Sequence, residues 1–174
     1  MAVNLQKGQK ISLEKEAGTA LNQVIMGLGW DAVKKKGFWG FGGGSQDIDL
    51  DASCLMFDEN KQVVDVVWFR QLNSQDGSIC HSGDNRTGDG DGDDEQIGVA
   101  LNQVPANVKS LVFTVNSFTG QEIARYDLSV QGSHSAQVMA KLYRHNGEWK
   151  MHAIGENSTG RTFHDLMPNI LPHL

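Results

Sequence analysis

Residues 84–95 hold six acids, Asp84, Asp89, Asp91, Asp93, Asp94 and Glu95, against one base, Arg86. That stretch carries −5 of the chain's formal net charge of −6. Twelve of the fourteen aspartates fall between Asp31 and Asp94. Like charge at this density cannot enter an apolar core unpaired, because desolvation and mutual repulsion both oppose it. A chain with this pattern must bring its acids to a loop-bearing end, build its core from other segments and find a counter-charge. The same asymmetry argues against nucleic acid as the partner, since phosphate binding needs a basic face. It favours a cation.

The segments left for the core read as short strands. Val24, Met26, Leu28 and Trp30 alternate along Gln23–Trp30. Ile48, Leu50 and Ala52 alternate against Asp47, Asp49 and Asp51, and Gln62–Phe69 is rich in valine and aromatics. Ile97, Val99 and Leu101 form another face, as do Leu111, Phe113 and Val115. Asn146-Gly147, between Ala136–His145 and Glu148–Ile154, is a hairpin signal. The predicted class is all-β, a two-sheet β-sandwich with its acidic loops at one end. One short helix is expected near the C-terminus, with Thr162 capping Phe163–Met167 and Pro168 closing it. The 174 residues suffice for one hydrophobic core, so a single domain over 1–174 is expected. No apolar run reaches the ~18 residues of a membrane helix, and MAVNLQKGQK has no apolar leader core. Cys54 and Cys80 form no CxxC pair and read as buried strand thiols. The expected location is the cytoplasm.

The acids have a geometry suited to a hard cation. At strand spacing Asp47, Asp49 and Asp51 share one face, with no lysine or arginine between them. Taken alone, that triplet reads as a solvated face. In Asp84–Glu95 the acids at 89, 91 and 93 alternate with glycines, which let side-chain and carbonyl oxygens converge. Together with Asp31 the two clusters make ten carboxylates. Ca²⁺ accepts six to eight oxygens in irregular geometry, whereas Mg²⁺ demands an octahedron and keeps its waters. Zinc and copper would want histidine or cysteine. Ten acids also suit two ions better than one.

Competing motifs fail on spacing. An EF-hand beginning at Asp84 would place Arg86 and Gly88 at ligand positions and Asp89 where glycine belongs; one beginning at Asp89 would end on Ala100. Asp49-x-Asp51 resembles a phosphoryl-transfer DxD, but the strand–helix repeat such enzymes need is missing. No P-loop, GxSxG or GxGxxG occurs. The six histidines are scattered and read as surface or core-edge residues. Between the acid clusters, Lys34–Lys36 precede Phe38, Trp39 and Phe41 in the glycine-rich stretch 34–45, an adhesive tip suited to a partner or a membrane surface.

GLGWD (27–31), DIDLDAS (47–53), DGSICHSGDNRTGDGDGDDE (76–95) and ARYDL…LYRHNGEWKMHAIGE (124–156) resemble the TerD family of tellurium-resistance and stress-response proteins, most of all its TerZ branch. The resemblance covers nearly the whole chain. It implies a cytosolic, bacterial, calcium-binding β-sandwich without catalytic activity, working beside other Ter-type proteins. It carries metal-binding roles onto Asp31, Asp49, Asp51, Asp84, Asp89, Asp93, Asp94 and Glu95, with Asn85 and Gly88 supplying further oxygens. Asp47 and Asp91 rank second. One departure is plain: the family pattern implies about twenty further residues between VNSFTG and EIARYDL, enough for a loop and a strand. Here Gly120-Gln121 runs straight into Glu122. Either a strand is lost or two pieces adjoin across a gap, and the row of backbone groups a lost strand would expose favours the gap.

The function expected is thus a non-enzymatic, Ca²⁺-responsive scaffold holding two ions per chain, in a bacterial tellurite-resistance or stress-response system. The alternative is a calcium-dependent adaptor at a membrane surface, resembling C2 domains.

Overall fold

The structure is a computed structural model, and it describes residues 5–30, 33–34, 45–46, 49–86, 93–118 and 134–174. Strand β1 (Lys10–Ser12) leads into a short helix α1 (Leu13–Ala17), followed by β2 (Gln23–Leu28), β3 (Val33–Lys34) and β4 (Ser45–Gln46). Then come β5 (Leu50–Phe57), β6 (Val63–Val67), β7 (Ile79–His81), β8 (Glu95–Ala100) and β9 (Ser110–Ser117). The chain ends with β10 (Ala136–His145), β11 (Glu148–Ser158), helix α2 (Met167–Ile170) and a 3₁₀ turn, Leu171–His173. A six-stranded antiparallel sheet runs β1-β11-β10-β9-β5-β6, and a three-stranded sheet runs β2-β8-β7. Strands β3 and β4 pair with each other, Val33 with Gln46 and Lys34 with Ser45.

The expected sandwich is present, with its main core between the sheets. Leu28, Ile97, Val99 and Ile79 of the small sheet meet Leu50, Ala52, Cys54, Met56, Leu111, Phe113 and Val115 of the large one. A second apolar cluster lies on the other face of the large sheet. There Leu55, Phe57, Val112, Val138 and Ile154 are covered by Phe163, Leu166 and Ile170 of the C-terminal segment. The large sheet is therefore the middle of three layers, which is why all eight residues of β5 are buried. Alternating pattern alone points to one buried face.

The hairpin signal holds. Asn146 (φ 54°) and Gly147 (φ 83°) both take positive φ, as a two-residue turn matched to strand twist requires, and they join β10 to β11.

Three expectations are corrected. The C-terminal helix starts at Met167 with Pro168 in its first turn, where its missing N–H costs nothing, so the proline opens the helix and does not close it. Thr162 belongs to the turn before it, whose amides at Arg161 and Thr162 donate to Asp165 Oδ2. Helix α1 was not foreseen: Ser12 caps it through Oγ, accepting from Lys15 N–H, and Gly18 ends it at φ 70°. Cys54 is fully buried, but Cys80 is exposed, because it sits on the outward face of the small sheet. The Gly120-Gln121 junction and residues 35–44 lie outside the described residues.

Candidate metal centre

The acidic end forms where β5 begins and where the chain returns into β8. Asp49 precedes β5, Asp51 is its second residue, and Asp84 follows β7. These three bring carboxylate oxygens to within 4.8 Å of one another. Asp84 is exposed, Asp49 half-buried, and Asp51 only 5% exposed. Asp51 is thus no part of a solvated face. Asp49 Oδ1 and Asp51 Oδ2 are buried without a hydrogen-bond partner among the described residues.

Burial, and next the neighbouring carboxylates of Asp49, Glu95 and Asp84, push Asp51 up from 3.8 to about 7. Asp49 is raised as well, first by burial and then by Asp84. Carboxylates crowded this closely without donors resist ionising, and an oxygen-seeking cation removes that resistance.

The other residues singled out from the sequence have different placements. Glu95, the first residue of β8, is fully buried. Its Oε2 accepts the Ala52 amide at 2.7 Å and its Oε1 the Asn85 amide at 3.2 Å. It therefore clasps β5 to the loop after β7. Asp94 Oδ2 accepts the Trp30 amide at 2.8 Å, and its Oδ1 accepts Asn85 Nδ2 at 2.9 Å. Asp94 N–H donates to Leu28 O, tying this loop to the end of β2. Asp93 is exposed and accepts Gln96 Nε2 at 3.4 Å. Its carboxylate lies over Gly27, where a Cβ would stand 2.0 Å from Asp93 Oδ2. Glycine at 27 is what admits that carboxylate. Asp31, Gly88, Asp89, Asp47 and Asp91 lie outside the described residues.

Sequence reasoning overlooked His81. It is buried, 6% exposed, and its Nε2 lies 3.5 Å from Glu95 Oε2 and 3.3 Å from Ala52 O. Its Nδ1 accepts Gly83 N–H at 3.0 Å, which assigns the ring proton to Nε2. With both nitrogens engaged, His81 steadies the clasp and is not offered as a ligand. Its alternation with buried Ile79 was the available signal, but a single residue says little about the face it lands on. Asp49, Asp51 and Asp84 converge through carboxylate oxygens, which suit a hard cation.

The TerD domain model matches residues 1–120 and 114–169. Tellurium resistance protein TerZ of Serratia marcescens is 47% identical over 188 residues, covering 97% of this chain and 97% of that protein. General stress protein 16U of Bacillus subtilis is 38% identical over 187 residues, covering 92% and 93% respectively. A crystal structure of a homologue of telluride resistance protein (TerD) from Streptomyces coelicolor superposes with a TM-score of 0.61 at 22% identity, over 85% of this chain and 98% of that one. That likeness speaks to the fold. The TerZ alignment is longer than the 174-residue chain itself, and the two stretches of the domain match overlap at 114–120. The relative thus holds residues that this chain lacks, and the domain match passes from one stretch to the other within 114–120. With the domain match running through nearly all of it and identity near one half to a full-length relative, this chain belongs to the TerD family of tellurium-resistance and stress-response proteins.

Proposed function

We propose that the chain is a calcium-binding protein without enzymatic activity, serving as a Ca²⁺-responsive scaffold in the bacterial cytoplasm with other Ter-type proteins as partners. The observation that carries the reading is the pair of buried oxygens on Asp49 and Asp51, unpartnered among the described residues and within reach of Asp84. Buried carboxylate oxygens without donors are costly, and a divalent cation among them offsets that cost. Asp49, Asp51 and Asp84 hold the first ion. A second draws on Asp31, Asp89 and Asp93 and on the oxygen of Gly88. Glu95, Asp94 and Asn85 brace the loops, so that neutralising the acids fixes how the end of the small sheet sits on β5. Cation occupancy would then shape the surface offered to a partner.

The test is a calorimetric calcium titration in millimolar magnesium. Saturation at two ions per chain is expected. Saturation at one removes the second site, and no heat of binding overturns the reading.

A further inference from the structure

Polar residues occupy the outer face of the large sheet where it meets the acidic end. On β5, Leu55 and Phe57 face the C-terminal segment. With a period of two, Asp51 and Ser53 share that face. On β9, Val112 faces the same way, so Thr114 and Asn116 do too. The register sets Asp51 directly opposite Asn116, and opposed residues of an antiparallel pair are side-chain neighbours.

Asn116 is 1% exposed. Its Nδ2 donates to Gly160 O at 3.4 Å. Its Oδ1 is buried with no hydrogen-bond partner among the described residues, as is Asp51 Oδ2 across the strand pair. Flipping the amide would give up the Nδ2 bond to Gly160 and set Oδ1 against that carbonyl. The amide as placed leaves Oδ1 without a donor among the described residues, on the residue directly opposite Asp51 with its own orphaned oxygen, and a cation is one partner that accepts oxygens of both kinds. Amide carbonyls join carboxylates routinely around Ca²⁺.

We infer that Asn116 Oδ1 is a ligand of the cation held by Asp49, Asp51 and Asp84, an inference that rests on the calcium reading above. Asn116 supplies a neutral oxygen from the buried side of the centre, and so adds a donor without adding to the repulsion.

The test compares the wild-type chain with Asn116→Leu, Asn116→Ala and Asn116→Asp. All three variants lose the Nδ2 donor to Gly160, but only Asn116→Asp keeps a side-chain oxygen in place. Calcium affinity is read by calorimetry, and metal-bound water by Tb³⁺ luminescence lifetimes in H₂O and D₂O. Asn116→Leu and Asn116→Ala are expected to weaken calcium binding about tenfold or more, and Asn116→Ala to gain about one bound water in place of the lost oxygen. Asn116→Asp is expected to keep the wild-type water count and an affinity no weaker than wild type. Equal weakening in all three variants would make Asn116 a mere anchor for Gly160 and overturn the inference, as would unchanged affinity in all three. A wild-type chain that binds no calcium would overturn the calcium reading and this inference together, whereas calcium binding indifferent to position 116 would overturn the inference alone.

Discussion

At the scale of single residues the acids fall into two roles with opposite energetics. Asp51 Oδ2 has no donor among the described residues and the group is raised to about 7; Glu95 accepts two backbone amides. The folded state without metal therefore keeps a proton on Asp51 that the unfolded chain, with a carboxyl near 3.8, releases. Stability from this group is greatest below about pH 4 and is lost as pH rises towards about 7. In chelator, the melting temperature of the wild-type chain relative to Asp51→Asn should fall as pH rises through that window. In excess calcium the trend should reverse, since protons then compete with the metal. Glu95→Ala removes the acceptor of the Ala52 and Asn85 amides and should cost about 3 kcal/mol of unfolding free energy even in chelator. Asp84→Ala should leave chelated stability unchanged or higher, by relieving repulsion, while cutting the stabilisation that calcium adds. Denaturant titrations with and without calcium separate the two behaviours. The sequence exposed all these acids alike as a charge cluster. Which of them ended with donors depended on amides from Ala52, Trp30 and Asn85, and on a strand pairing no local pattern reveals.

At the scale of elements, strand alternation and the Asn146-Gly147 turn were legible because period and turn chemistry are local properties. The helices were harder. α1 spans only Leu13–Ala17, too short for a 3.6-residue period to register, and its evidence is the Ser12 cap and Gly18. α2 was displaced by reading Pro168 as a terminator when it stands in the first turn. The pairing of β3 with β4 closes the base of the stretch that carries Phe38, Trp39 and Phe41. If that stretch meets a partner such as another Ter-type protein, replacing the three aromatics with serine should weaken capture of that protein in a pull-down while leaving calcium affinity unchanged. Loss of calcium-dependent liposome sedimentation with partner capture intact would point to a membrane surface. A large drop in calcium affinity would assign the stretch to the proposed metal centre.

At the scale of the whole molecule, the acidic end joins three parts of the fold: the end of β2, the loop between β7 and β8, and the start of β5. A ligand that binds only the folded state stabilises it by about 2.7 kcal/mol at a hundredfold excess over its Kd. Calcium should therefore raise the melting temperature of the full chain by several degrees and chelator should reverse it; equal melting under both conditions would remove the site. The charge asymmetry, the strand-rich class, the turn at 146–147 and the segments that could hold a cation are all written in the chain, because composition, alternation and backbone preference act over a few residues. Long-range packing set the rest: the large sheet is covered on both faces, Asp51 is buried with an oxygen orphaned among the described residues, Glu95 is a clasp and Asn116 stands opposite Asp51. Those outcomes depend on which strands pair, in what register, and on what packs over them, and such contacts join residues far apart in the chain.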